Sequence, residues 1–355
     1  MTEQNFSENF TDADTYVWDA SVWLYIPPIL IPVGFCENIL AVLVLARPRF
    51  SQLPCRITLI AIAIVDMIVL FFGLTRFWTN VLFDTNLQTL SEAVCKMLSP
   101  LVISCSHLSS LLVALLSVER FCSVYRPHNR FHTPVDYVGV PVLTFFCFGI
   151  FFVYYHYTIL TPGIPGTKHD KVCVSTSQTV AIILDLLDTA LLCLLPLVVI
   201  SVNNTFIIYR LYQNTKKLDS YHNTVQFTSR HMTGGSEISS EDQRSCLPQL
   251  IRKKPRVTQP SPKMVAFNRQ KRITITLLLI TSSFVLFTFP FTVVHLSRTV
   301  DNERRTSSWN MSWLVTYILV YVNNCLNFPI YIISQPYFYG ELKAMMRSGC
   351  CHHSF

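Results

Sequence analysis

Apolar residues along the chain gather into seven long runs separated by short polar stretches. The runs are Val22–Ala46, Ile57–Trp78, Ala93–Val124, Val135–Leu160, Thr179–Tyr209, Ile273–Leu296 and Trp313–Ser334. About 20 consecutive apolar residues cross a bilayer as a helix, so each run predicts one membrane span. Prolines inside several of them are no objection, because packed membrane helices re-satisfy the freed backbone groups. The third run sets the scale. Cys95 opens it, Glu119-Arg120-Phe121 close it, and at 1.5 Å per residue the two ends lie about 37 Å apart. Cysteine and arginine therefore belong near opposite membrane faces. The expected fold is an all-α, seven-helix membrane bundle.

The segments around the bundle read differently. Residues 1–21 are polar and acidic, with no basic residue and no apolar core, so no cleavable signal is visible and the first span is expected to act as its own uncleaved signal. Residues 213–268 are rich in Ser, Thr, Gln, Lys and Arg and predict a mostly disordered inner loop. Residues 335–355 contain the amphipathic stretch Gly340–Arg347, expected to lie on the inner membrane surface. Cys350 and Cys351 follow it as candidate palmitoylation sites, with two free thiols as the alternative.

Composition narrows the class. Of 355 residues, 51% are hydrophobic and only 14% charged, too apolar for an ordinary soluble enzyme. The net charge of +7 fits an anionic membrane surface better than nucleic acid, because the basic residues flank the apolar runs. Lys and Arg favour the side holding Arg47, Arg49, Arg56, Arg126, Arg130, the 210–272 set, Lys343 and Arg347. That side is then cytoplasmic and the N-terminus is outside. The sequons at Asn5, Asn9 and Asn310 all fall on the outer side, as candidate glycosylation sites; the one at Asn203 lies within the fifth span. Most of the 12 cysteines lie in apolar runs and are expected as free thiols. Cys95 and Cys173 share the outer side, where a bridge needs an oxidising compartment.

Polar residues inside spans call for a reason, since an ionisable group at membrane depth is costly. Asp66 is placed in the second span, with Asn38 in the first, Ser109 in the third, and Asn323 and Asn327 one turn apart in the seventh. They predict a small polar cavity holding water and a sodium-like cation; a hydrogen-bonded cluster without an ion is the alternative. Arg120 presents a planar donor fork for backbone carbonyls or a polar tail, or else snorkels to the interface. Asp185 and Asp188 share a face near the outer end of the fifth span. With Arg76, His295 and Arg298 they line an outward-open pocket, unless they are consumed in pairs between helices. No nucleophile–base constellation is present, so no enzyme is expected.

As an ordered set these residues resemble the rhodopsin-like G-protein-coupled receptors. The matching positions are Gly34-x-x-x-Asn38, Ala61-x-x-x-x-Asp66, Cys95, Glu119-Arg120-Phe121, Cys173, Pro196, Phe284, Pro290, Asn327 and Tyr331. The resemblance spans all seven runs and the short helix after them. Several positions depart from the family pattern. The fourth span lacks tryptophan, Thr288 stands at the toggle position, Pro329 is one place late, Gln270 replaces a common acid and Asn204 a tyrosine.

The resemblance implies a plasma-membrane receptor with a Cys95–Cys173 disulfide. It implies G-protein coupling through Glu119, Arg120, Phe121 and Pro127, and a switch built from Pro196, Phe284, Thr288, Pro290, Asn327 and Tyr331. It further implies allosteric sodium at Asp66, Ser109, Asn323 and Asn327, no other cofactor, and arrestin, receptor kinases and membrane lipid as further partners. Val102 occupies the place of the aspartate in aminergic receptors, which argues against an amine. The run Phe71–Trp78 resembles invertebrate neuropeptide receptors of the FMRFamide type. Together with Asp185 and Asp188 it points to a short basic peptide. Two other classes stay open here: a polytopic transporter or channel, and a receptor that binds without G-protein signalling.

Overall fold

The computed structural model describes residues 20–51, 53, 55–125, 135–162, 171–233, 262–300, 307–334 and 336–350. Among them six helices are long and apolar enough to cross a membrane, and a bent pair supplies a seventh span. The first is α1 (Pro27–Leu45), whose start is set by Pro27 and Pro28, residues whose missing N–H groups are no loss in a first turn. Then come α2 (Arg56–Phe83), α3 (Glu92–Tyr125) and α4 (Val135–Tyr157). The fifth span joins α5 (Gln178–Thr189) to α6 (Leu195–Thr233) through a π-helical turn at Ala190–Leu194. The sixth is α7 (Pro262–Val300), and the seventh is α8 (Ser307–Asn323) bent by 52° into α9 (Asn327–Ser334). A final helix, α10 (Pro336–Cys350), follows.

The third span is the axis of the bundle. Two thirds of its apolar window is buried (67%), against 11% for the fourth, so α3 sits inside and α4 at the rim. Outward faces carry large apolar side chains such as Phe145, Leu286 and Ile333, each more than two-thirds exposed. In water such a surface would be unfavourable; in lipid it is solvated, while every helix satisfies its own backbone.

Three expectations about boundaries are corrected. The fourth span stops at Tyr157, and Thr158–Pro162 forms strand β1, paired antiparallel with β2 (Lys171–Ser175) so that Leu160 faces Cys173. A short apolar strand and a helix end look alike in sequence. The inner loop expected over 213–268 is helical at both flanks, to Thr233 and from Pro262, while 234–261 lies outside the described residues. The seventh span is two helices, and the break explains the late proline. Pro329 falls in the first turn of α9, where its missing N–H leaves no helical bond unmade. Asn38 closes the same joint, donating to the carbonyls of Gly34 (2.9 Å) and Asn324 (3.0 Å).

The inner ends are tied by side chains from neighbouring segments. Arg56 at the start of α2 donates to the free carbonyls of Leu45 and Ala46 at the end of α1. On α10, Phe338 and Leu342 are buried, Phe338 meeting the rings of Phe50, Phe328 and Tyr331. Glu341 pairs with Arg49 at 2.6 Å and lies 4.0 Å from Arg47.

Candidate functional site

At the outer end, Cys95 near the start of α3 is bonded to Cys173 on β2, with their Cα atoms 5.7 Å apart. The β-hairpin is thereby fastened to the third span. Below it lies the acidic pair of the fifth span. Asp188 Oδ1 accepts from His107 Nε2 at 2.7 Å, and His107 is fully buried. Tyr154 of α4 stands beside that ring and donates to the Leu184 carbonyl. Asp185 is exposed and forms no ion pair within 4 Å among the described residues; His295 and Asp188 are its electrostatic neighbours. His295 lies 3.4 Å from Thr189 Oγ1 and against Phe291.

Sequence reading grouped Asp185 with Asp188 as equals, and the structure separates them. It also adds His107, which the apolar look of the third span concealed. The available signal was a histidine at membrane depth, itself a residue that needs a reason. Val102, expected to face ligand, is only 3% exposed and packed into the bundle. Arg298 is on α7, but its side chain lies outside the described residues.

Arg76 stands across the bundle on α2. An aspartate was one candidate partner; instead Arg76 Nη2 donates to the Tyr317 hydroxyl at 2.7 Å. Its guanidinium lies 4.7 Å above the Phe77 ring, in an aromatic box that also contains Trp23 and Trp313.

In mid-membrane, Asp66 is 1% exposed. Its Oδ1 accepts from Ser109 Oγ at 2.6 Å and its Oδ2 from Asn327 Nδ2 at 2.9 Å. These two of the predicted ligands converge. Asn323 is buried nearby in sequence but makes no hydrogen bond to Asp66, and Asn38 is committed to the α8–α9 joint instead. A buried carboxylate with no cationic partner among the described residues fits a monovalent cation chemically. The hydroxyl and amide oxygens of Ser109 and Asn327 would be the further donors.

On the inner side, Glu119 accepts from Thr58 Oγ1 at 2.5 Å, and Arg120, 3% exposed, donates to Cys55 Sγ. The arginine is thus turned towards α2. Cys55 and Thr58 were not anticipated; nothing local to either marks it as a partner of a residue some sixty positions on. Phe121 stacks on Tyr125 and meets Phe206. Pro127 lies outside the described residues. A small cavity of about 20 Å³ opens between Cys55, Thr276, Tyr331 and Phe338.

The switch residues lie between these levels. Thr288, 1% exposed, donates to the Phe284 carbonyl and is 3.9 Å from Cys193 in the π turn. Phe284, Pro196 and Tyr331 are buried, and Pro290 sits within α7. Asn204, in place of the expected tyrosine, donates to Thr281 of α7 at 2.9 Å, and Asn203 donates to Ser117 of α3 at 3.1 Å. The fifth span is therefore bonded to both neighbours at this depth.

Of the modification sites, Asn310 is in the first turns of α8 and Cys350 ends α10. Asn5, Asn9 and Cys351 lie outside the described residues.

The family model described as "7 transmembrane receptor (rhodopsin family)" matches residues 37–331. No curated protein matches the chain. The matched region contains the disulfide, the Asp66 cluster, Arg120 and the α8–α9 joint. Proteins of this family are membrane receptors and not enzymes, and the match lends nothing to a transporter or channel. From the site geometry and this match over most of its length, the chain belongs to the rhodopsin family of seven-transmembrane receptors.

Proposed function

We propose that the chain is a plasma-membrane receptor that binds a short basic peptide at its outer end and couples to a heterotrimeric G protein at its inner end. Its N-terminus is outside. Asp185 carries the reading of the ligand: a carboxylate at the outer end of the fifth span, exposed, with no cation paired to it among the described residues. A peptide ammonium or guanidinium supplies that cation, and a charge-assisted hydrogen bond there is stronger than a neutral one. The Phe71–Trp78 resemblance adds a neuropeptide of the FMRFamide type as the ligand class.

On the inner side the reading rests on Arg120 and the cavity near it. Ligand binding favours a state in which Arg120 leaves Cys55 and the inner ends open to the G protein. The shift is limited by the ligand's differential affinity for the two states. Sodium at Asp66 belongs to the resting state. Arrestin and receptor kinases act at the cytoplasmic segments, and α10, with palmitate on Cys350 and Cys351, rests on membrane lipid. Asn5, Asn9 and Asn310 carry the outer glycans.

The test is a neuropeptide-library screen on cells expressing the chain with a promiscuous G protein. A peptide response is expected, abolished by Arg120→Ala and weakened at least tenfold by Asp185→Asn. A peptide that binds but drives no nucleotide exchange would overturn the coupling. A response indifferent to Asp185→Asn would overturn its role with the peptide cation.

A further inference from the structure

Arg76 is a half-buried cation without an anion. Among the described residues no carboxylate lies within 4 Å of it, and its polar neighbours are phenols: it donates to the Tyr317 hydroxyl and also meets the hydroxyl of Tyr321. Its Nε is buried and has no hydrogen-bond partner. One helical turn further out, Asn80 shares the same face of α2, and its Oδ1 is also buried without a partner. Two neighbouring orphaned polar groups are unusual where most such atoms are satisfied. Leaving a buried donor of a charged group unmade is costly.

The surroundings give the site a shape. Trp23 stacks on Phe77 at 4.2 Å between ring centres, and Trp313 on Tyr317 at 4.8 Å. Tyr321 holds the Tyr317 hydroxyl from the next turn, at 3.2 Å. The result is an arginine fork set in an aromatic box, fixed from one side and with donors to spare on the other. A planar guanidinium of this kind matches a carboxylate, which it can grip with two parallel bonds.

We infer that Arg76 is an anchor for a carboxylate on the ligand, seated in the aromatic box of Trp23, Phe77, Trp313 and Tyr317, while Asn80 Oδ1 is left to accept from an N–H of the same ligand. This deepens the proposed peptide reading and rests on the outer end being the ligand site. Arg76 on the second span and Asp185 on the fifth then divide the work. One takes the ligand's anion, the other its cation, and the bound peptide is bipolar with a defined direction. In a ligand of the FMRFamide type, whose C-terminus is an amide, the carboxylate comes from an acidic side chain; an unblocked C-terminus supplies it only in a peptide of another type. A C-terminal amide would offer Arg76 an oxygen but no charge.

The probe is N-acetylphenylalanine, a carboxylate beside one aromatic ring, compared with its carboxamide. Each is titrated against the full-length chain in lipid nanodiscs while thermal unfolding is followed. The acid is expected to raise Tm in a saturable way and the amide to be at least tenfold weaker. Arg76→Gln removes the preference, and Arg76→Lys, which keeps the charge, retains part of it. Equal action of acid and amide on the unmodified chain overturns the proposal whether or not the variants fold. So does a preference that survives Arg76→Gln.

The measurement needs no G protein and no cognate ligand, so it stands if the peptide reading fails. Once an active peptide is in hand, its free-acid and amide forms, and Asn or Gln in place of its acidic residues, identify the source of the carboxylate. A peptide that loses less than threefold potency when every carboxylate is removed overturns the anchor.

Discussion

His107 on the third span and Asp188 on the fifth are joined by a 2.7 Å hydrogen bond, with the histidine sealed from solvent. The bond fixes the outer half of the fifth span just before its π turn. Removing one partner strands the other, and a hydrogen bond to a charged group contributes about 1.5–3 kcal/mol. His107→Ala is expected to cost this much in thermal stability. Adding Asp188→Ala should cost less than the sum, as contacting residues are non-additive. Strict additivity in the double-mutant cycle would show that the pair does not interact.

Asp66 leads to an ion-dependent prediction. Exchanging sodium for N-methylglucamine at constant ionic strength is expected to lower the Tm of the purified receptor. At sodium tenfold above its Kd the stabilisation is about 1.4 kcal/mol. Asp66→Asn should abolish the sodium response, and Ser109→Ala should weaken it. An unchanged sodium response in Asp66→Asn would remove the ion from this site and leave a hydrogen-bonded cluster.

Cys95 and Cys173 are 78 positions apart in sequence, and their bridge holds the hairpin to α3. Cys173→Ser is expected to lower stability by about 2–5 kcal/mol. Reduced surface display by flow cytometry is the readout, with Cys36→Ser as the control. Equal display of the two variants would refute a structural role for the bridge.

Gly73 sits where the second span meets the seventh. A Cβ there would come within 2.7 Å of the Tyr321 hydroxyl. Gly73→Ala forces that ring aside and disturbs the Tyr321–Tyr317–Arg76 chain; overpacking of this kind costs about 1–3 kcal/mol. Tyr321→Phe in the same background, which removes the clashing oxygen, should recover part of the loss. No recovery would place the strain elsewhere.

The last helix separates packing from charge. Phe338→Ala, which empties a buried site between Phe50, Phe328 and Tyr331, should cost about 3–5 kcal/mol. Glu341→Gln, which breaks an ion pair to the exposed Arg49, should cost at most about 1 kcal/mol and less at high salt. Unfolding of both variants at two salt concentrations checks the ranking, and the reverse order would contradict it.

The sequence alone determined the seven spans and the placement of Asp66 and Arg120 within them, and put Cys95 and Cys173 on one expected side; their pairing came from the family resemblance. The spans and these placements are written locally: a bilayer demands a run of apolar residues, and a lone polar residue within such a run is visible without its neighbours. The end of the fourth span was not legible, because Thr158–Pro162 is apolar enough for either a helix end or a strand, and only pairing with Lys171–Ser175 decides it. Tertiary structure alone chose the partners. Asp188 took His107, Arg76 took Tyr317 instead of an acid, Arg120 took Cys55, and Asn38 went to the α8–α9 joint and not to Asp66. Periodicity assigns a residue to a face of its own helix. Which residue of another helix meets that face depends on the rotation, crossing and breaks of both, which are fixed only when the whole bundle packs.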